Sequence, residues 1–215
     1  MMSSLQLPRL YPIIDVSFFT AQSDPTAALV RFAQELLHGG ATLIQYRNKS
    51  ANARQMLSHA RELRRATYNS AKLIMNDRSD LCLAAGFDGV HLGQDDLSPA
   101  AARQIFSAAR KEQLWIGFST HNPQQVQEAD SFPVDYIAVG PVFATASKVN
   151  PDPVIGLEGV RQARRATARP LVAIGGITKG NCLEVMAAGA DSVAVISDLI
   201  ESPRKSTEEF LRILL

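Results

Sequence analysis

Cysteine is scarce in this 215-residue chain: there are two, Cys82 and Cys182, a hundred positions apart. They fit neither a zinc spacing nor a disulfide framework. Each lies in an apolar, helix-like stretch, which reads as a buried small hydrophobe and points to a reducing, cytoplasmic setting. Net charge is almost absent as well, at +1. That removes bulk electrostatics as a reason to expect a nucleic-acid or membrane partner, so any hold on anions has to come from a local cluster. No apolar run reaches the roughly 18 residues of a transmembrane helix. The N-terminal stretch MMSSLQLPRLYPIIDVSFF lacks a lysine-rich start and is interrupted by Asp15, which makes it a poor signal peptide. There is no linker, low-complexity segment or charge run. The arginines of RELRRAT and RQARRATAR read as solvated faces of outer helices. No Gly-x-Gly-x-x-Gly follows the first strand, which speaks against a dinucleotide-binding open sheet.

What is present is strongly periodic. The chain is 46% hydrophobic and 20% charged, as in ordinary globular domains. Eight short apolar, β-branched runs recur: Leu10–Ile14, Thr42–Tyr46, Leu73–Met75, Gly89–Leu92, Leu114–Phe118, Tyr136–Val139, Leu171–Ile174 and Ser192–Ile196. Each is too short for a helix and reads as a buried parallel strand. Helical patterns separate them. Asp24-Pro25, Ser98-Pro99 and Asn122-Pro123 each put a capping side chain before a proline at the first helical position. Leu29, Phe32 and Leu36 share a face ahead of Gly39-Gly40, and Ser98-Pro99 opens a helix carrying Ile105 and Ala109. Ser206 and Glu209 resemble a capping box before a final helix from Phe210 to Leu215. Eight strand–helix units in about 200 residues predict one α/β domain over residues 1–215, a (β/α)8 TIM barrel.

In that fold the chemistry sits at the C-terminal ends of the strands. After strand two, Gln45, Arg47 and Lys49 alternate onto one side, a grouping suited to a polyanion such as pyrophosphate. Asp77 follows strand three and Asp95-Asp96 follows strand four, so carboxylates at neighbouring mouths describe a hard oxygen site for Mg²⁺. Taken singly, each of these also reads as a surface charge or a helix cap. Ser119-Thr120-His121 follows strand five without the Gly-x-Ser-x-Gly elbow of a hydrolase, so Ser119 reads as a hydroxyl donor and His121 as a turn residue. A long loop, 140–153, carries Thr145, Ser147 and Lys148 and is a candidate cover over a charged substrate. Gly175-Gly176-Ile177 and Ile196-Ser197 follow strands seven and eight, where this fold commonly binds phosphate through backbone N–H groups. Two anion-binding regions, one metal-assisted and one metal-free, imply two phosphorylated small-molecule substrates.

The segments IQYRNK, MNDRSDLCLAAGFDGVHLGQDDL, IGFSTH, GPVFATASK, GLEGV, VAIGGI and GADSVAVIS, in this order, resemble the thiamine phosphate synthase family over nearly the whole chain. The resemblance implies a Mg²⁺-dependent transferase of thiamine biosynthesis. Such an enzyme joins hydroxymethylpyrimidine diphosphate to thiazole phosphate, or a carboxythiazole phosphate, giving thiamine phosphate and pyrophosphate. It implies that Gln45, Arg47, Lys49, Asn76, Ser119 and Lys148 contact the pyrimidine diphosphate, with Arg47, Lys49, Ser119 and Lys148 acting in catalysis. It further implies Asp77 and Asp96 as Mg²⁺ ligands, Thr145 and Ser147 as the hydroxyl pair for the thiazole phosphate, and Gly176, Ile196 and Ser197 around that phosphate. Three positions depart from the pattern: Ser147 stands for a second threonine, Asn48 for an acidic residue between Arg47 and Lys49, and Ala144 for a proline. The rival readings are a thiazole tautomerase-like isomerase, a phosphosugar barrel such as an epimerase, and a non-catalytic phosphate-binding barrel. The oligomeric state is left open, a homo-oligomer included.

Overall fold

The computed structural model describes residues 5–50, 52–145 and 152–215. Eight parallel strands alternate with eight helices: β1 Leu10–Asp15, α1 Pro25–His38, β2 Leu43–Arg47, α2 Ala53–Thr67, β3 Lys72–Asn76, α3 Ser79–Ala85, β4 Gly89–Leu92, α4 Pro99–Ala108, β5 Trp115–Thr120, α5 Pro123–Asp130, β6 Tyr136–Val139, α6 Gly156–Ala166, β7 Leu171–Ile174, α7 Cys182–Ala187, β8 Ser192–Val195 and α8 Pro203–Leu214. Each strand pairs with the next, and β8 closes on β1, giving the predicted barrel. Single 3-10 turns follow β1 (Val16–Phe19) and β8 (Ser197–Leu199).

The proline-led helix starts form as the sequence dictates. Asp24, Ser98 and Asn122 accept from the backbone N–H of Ala27, Ala101 and Gln125, satisfying donors that a helix N-terminus leaves unpaired. On α4 it is Phe106 that packs inward, while Ile105 is exposed. The last helix is a correction. It begins at Pro203, so Ser206 and Glu209 lie within it and form no capping box. Proline at the first helical position starts the helix one turn earlier, and Ser206 and Glu209 instead hold the Lys179 ammonium at 3.3 and 3.0 Å. Both cysteines are buried and free, and burial pushes the Cys82 thiol up to about 12. Among the described residues no helix is long and apolar enough to cross a membrane.

Strand alternation splits the apolar residues into two layers. Leu10, Ile14, Ile44, Leu73, Met75, Val90 and Ile116 point outward against the helices. Tyr11, Ile13, Leu43, Ile74, Tyr136, Ala138, Val172 and Ala194 fill the barrel interior. Toward the strand C-termini the inward positions turn polar, with Gln45, Asn76, His91 and Ser119, so the interior becomes a site at that end.

The arginines read as solvated faces include several that are structural. Asp88, Asp135 and Asp191 each sit one residue before β4, β6 and β8, and each accepts the backbone N–H of a residue on the preceding strand: Leu73, Ile116 and Leu171. Each also takes a guanidinium from the even-numbered helix before it: Arg64 (α2), Arg103 (α4) and Arg164 (α6). The same staple thus recurs every second β/α unit at the N-terminal end of the barrel, the end that serves stability. Periodicity alone could not separate these side chains from solvated neighbours, because the aspartate partner comes from a later loop. Asp135→Ala would leave the Ile116 N–H without its acceptor and remove the ion pair of Arg103, which keeps its bonds to the Glu112, Leu114 and Pro133 carbonyls, at a cost of about 1–3 kcal/mol. That corresponds to a fall of roughly 3–10 °C in Tm, to be read by thermal melting, with turnover at 25 °C unchanged.

Candidate active site

The strand C-termini open into one cavity of about 520 Å³. Every residue assigned to the site from the sequence lines it, apart from Ser147 and Lys148, which lie outside the described residues. Gln45, Arg47, Lys49, Asn76, Asp77, Asp96, Ser119, Thr145, Gly176, Ile196 and Ser197 are thereby brought together from β2 round to β8.

Arg47 ends β2 opposite Asp15 of β1 in register, and its Nη1 pairs with the Asp15 carboxylate. Asp15 is only 2% exposed, and its other oxygen accepts from the Ser17 N–H and hydroxyl at 3.0 and 2.7 Å. A bidentate-capable guanidinium is thus held at the rim by a buried anion. The Lys49 ammonium lies 2.5 Å from the Asp77 carboxylate. Asn48 lies between these cations in the chain and is buried. It donates to the Tyr46 hydroxyl at 3.1 Å and accepts from the Ser50 N–H at 3.1 Å. The amide at this position anchors the loop after β2 and leaves no negative charge between Arg47 and Lys49 in the chain. Tyr46 and His59 lie 3.0 Å apart behind it, and burial pushes the Tyr46 phenol up to about 12 and the His59 imidazole down.

Asp77 has a left-handed backbone, φ 65°, uncommon outside glycine. Its N–H donates to the His91 carbonyl across to β4 at 2.8 Å, which fixes this bend. The Asp77 carboxyl is raised to about 6, first by burial and also by a side-chain hydrogen bond with Asp96, with Lys49 opposing the rise. Asp96 in turn accepts the Gly93 N–H at 2.7 Å. Two carboxylates that repel each other at neutral pH form a cation-receptive pair. Among the described residues no cluster of three or more His, Cys, Asp or Glu side chains could hold a metal. The pair therefore fits an ion that takes one or two carboxylates and completes its shell with water and phosphate oxygens, as Mg²⁺ does. It does not fit a zinc or calcium cage. Asn76, beside it, lines the cavity, and its buried Nδ2 has no protein partner.

Across the cavity, Gly175 and Gly176 have φ of 102° and 62°. The loop after β6 lies directly on them: Val142 and Phe143 donate to the Ile174 and Gly175 carbonyls at 2.9 and 3.0 Å. A side chain at 176 would meet the Ala144 carbonyl at 2.5 Å. Ile196 and Ser197 complete this end at the start of the short 3-10 turn after β8. His121 lines the cavity, with its Nδ1 2.7 Å from the Gly140 carbonyl and 3.4 Å from the Asp152 carboxylate, and so ties the end of β5 to the loop after β6.

Three polar positions at the site are not legible as such in the sequence. There Asp15 reads only as a break in an apolar run. Gln94 Nε2 holds the Ser119 carbonyl at 2.5 Å. His91, in the middle of a strand, contacts the Ser119 hydroxyl at 2.8 Å through Nε2. Its Nδ1 lies 3.1 Å from the Tyr136 hydroxyl, the position a carboxylate takes in a Ser-His-Asp arrangement. Strand alternation, which points 91 and 45 inward alike, was the signal available for His91.

One cavity with a cation-and-carboxylate rim at β2–β4 and a glycine rim at β7–β8 places the chain among the phosphate-handling (β/α)8 barrels. Within that class, residues 16–199 match the family described as thiamine monophosphate synthase, and the chain belongs to that family. It is 56% identical to the thiamine-phosphate synthase of Koribacter versatilis over 214 residues, covering 100% of this chain and 99% of that one. It is 42% identical to that of Chloroflexus aurantiacus over 193 residues, covering 89% and 85%. The solved thiamine phosphate pyrophosphorylase of Pyrococcus furiosus superposes with a TM-score of 0.81 at 36% identity, covering 96% of this chain and 95% of that one.

Proposed function

We propose that the chain joins hydroxymethylpyrimidine diphosphate to thiazole phosphate, releasing pyrophosphate and forming thiamine phosphate. The observation that carries this reading is the division of one cavity into a charged end that fits a departing diphosphate and a glycine end that fits a retained phosphate. The bond between the pyrimidine methylene and the diphosphate oxygen breaks, and the thiazole nitrogen lone pair forms the new C–N bond. That nitrogen carries no proton, so the step needs no protein base. The work of the site is to place the two substrates and to accept leaving-group charge.

Arg47 and Lys49 hold diphosphate oxygens, and the Asn76 amide donates to the same group. Asp77 and Asp96 would hold Mg²⁺, which when bound neutralises diphosphate charge. Lys148 is assigned to the same leaving group. Thr145, Ser147, Gly176, Ile196 and Ser197 hold the thiazole phosphate, and the loop after β6 excludes water. Purified protein supplied with both substrates and Mg²⁺ is expected to release pyrophosphate and thiamine phosphate in equal amounts. Folded protein that forms neither product would sink this reading.

The glycine end makes its own prediction. Gly176→Ala forces a left-handed alanine against the Ala144 carbonyl. The KM for thiazole phosphate is expected to rise about tenfold or more, in line with one lost phosphate contact, while the KM for the pyrimidine diphosphate changes little. Steady-state kinetics with each substrate varied in turn would check this.

A further inference from the structure

The glycine end of the cavity is held from behind. Three successive carbonyls after β7 are each taken by a donor: Ile174 by the Val142 N–H, Gly175 by the Phe143 N–H, and Gly176 by Asn181 Nδ2 at 3.0 Å. Gly176 and Ile177 line the cavity, whereas Phe143 and Asn181 do not. A trans peptide sets its N–H opposite its C=O. The Gly175 and Gly176 carbonyls are drawn toward residues off the cavity wall, so the N–H groups of the same two peptides, those of Gly176 and Ile177, are turned the other way. Among the described residues neither N–H has a hydrogen-bond partner.

The Asn181 amide can face only one way. Its Oδ1 accepts the Thr178 N–H at 2.8 Å, which commits the oxygen and leaves the NH2 for the Gly176 carbonyl. A hold of this kind is needed here. Gly176 has φ 62° and no side chain, which gives an anion room to approach but also leaves the peptide free to rotate. Rotated, it would offer a carbonyl oxygen to an anion in place of an N–H. The loop itself is fixed across the rim. Asp198, in the turn after β8, accepts the Lys179 N–H at 3.0 Å, so the loop that carries Gly176 is tied beside the loop that carries Ser197.

We propose that Asn181 is a positioning residue that turns the Gly176–Ile177 peptide so that the Ile177 N–H donates to the phosphate retained at the glycine end. This deepens the thiazole phosphate site proposed above and rests on it. Asn181 touches no substrate. It acts through the backbone, and its effect is confined to the ligand that uses this end of the cavity.

The test is calorimetric binding of thiazole phosphate and of the pyrimidine diphosphate to wild type, Asn181→Ala and Asn181→Asp, with melting curves alongside. Asn181→Ala frees the peptide and should weaken thiazole phosphate binding about tenfold or more, the size of one hydrogen bond to a charged group. Pyrimidine diphosphate affinity should not change. Asn181→Asp keeps the acceptor for Thr178 and loses only the donor to Gly176. It should melt close to wild type and still bind thiazole phosphate at least as weakly as Asn181→Ala. The comparison is made at about 1 M salt, where the Debye length of about 3 Å screens the added charge. Wild-type affinity in folded Asn181→Asp, or a loss shared equally by both ligands, would overturn the proposal. Binding is read without turnover. A protein that binds thiazole phosphate through Asn181 yet forms no thiamine phosphate would sustain the positioning role and remove only the proposed reaction.

Discussion

Asp77→Asn is expected to lower kcat with Mg²⁺ present by about 10²–10³-fold, the scale of losing one group that supports transition-state charge, and at the same time to raise the melting temperature of the metal-free protein. Asparagine is the informative replacement because it tolerates the left-handed backbone at this position better than alanine. The two effects have one cause. In the folded chain the Asp77 carboxyl is raised from 3.8 to about 6 by burial and by Asp96. Between these two values the folded protein binds a proton that the unfolded chain has released, so folding stability falls as pH rises through this window. Above about pH 6 the whole penalty is present, and below about pH 4 it is gone. Removing the charge should therefore stabilise the metal-free protein at pH 7.5, by on the order of 1 kcal/mol or 2–4 °C, with the gain shrinking toward pH 4. Melting curves at the two pH values, with and without Mg²⁺, give the result. A variant less stable than wild type at pH 7.5, with undiminished turnover, would contradict both halves. The site is thus destabilising where it is most useful, as active sites commonly are.

The second large effect concerns Arg47. Arg47→Ala should lower kcat by about 10²–10³-fold, because the guanidinium is placed to receive leaving-group charge. Asp15→Asn keeps the acceptor for Ser17 but removes the anion that holds Arg47, and should cost about 10–100-fold, the range of an orienting partner. The double variant should be no worse than Arg47→Ala alone, since Asp15 acts through Arg47. Steady-state kinetics on the three proteins decide it, and fully additive losses would show that Asp15 has a separate role.

The strand mouths were legible because parallel strands and alternation fix which residues reach the same end of the barrel. That is why the sequence alone groups Gln45, Arg47, Lys49, Asn76, Asp77, Asp96 and Ser119, which line one cavity. Strand limits were less legible. β5 runs on to Thr120, so Ser119 is part of the strand and not of the loop after it. Ladder hydrogen bonds to β6 extend it, and those depend on a partner strand distant in sequence. The arginine staples and the start of α8 were missed for related reasons: Asp88, Asp135 and Asp191 come from other loops, and Pro203 starts a helix that the later Ser206–Glu209 pair only imitates.

By itself, the sequence determined the barrel, the end of it that carries the chemistry, and the division between a carboxylate-and-cation rim and a glycine rim. These follow from short-range rules: period-two alternation, helix caps, and glycine where the backbone has to bend. Only the tertiary structure decided that Asp15 holds Arg47, that Asp77 and Asp96 share a site tight enough to hold a carboxyl near 6, and that Asp198 after β8 holds the loop after β7. Each of these is a meeting of groups from different strand ends, set by barrel closure and register. Their energies depend on distances of about 3 Å, which no spacing along the chain encodes.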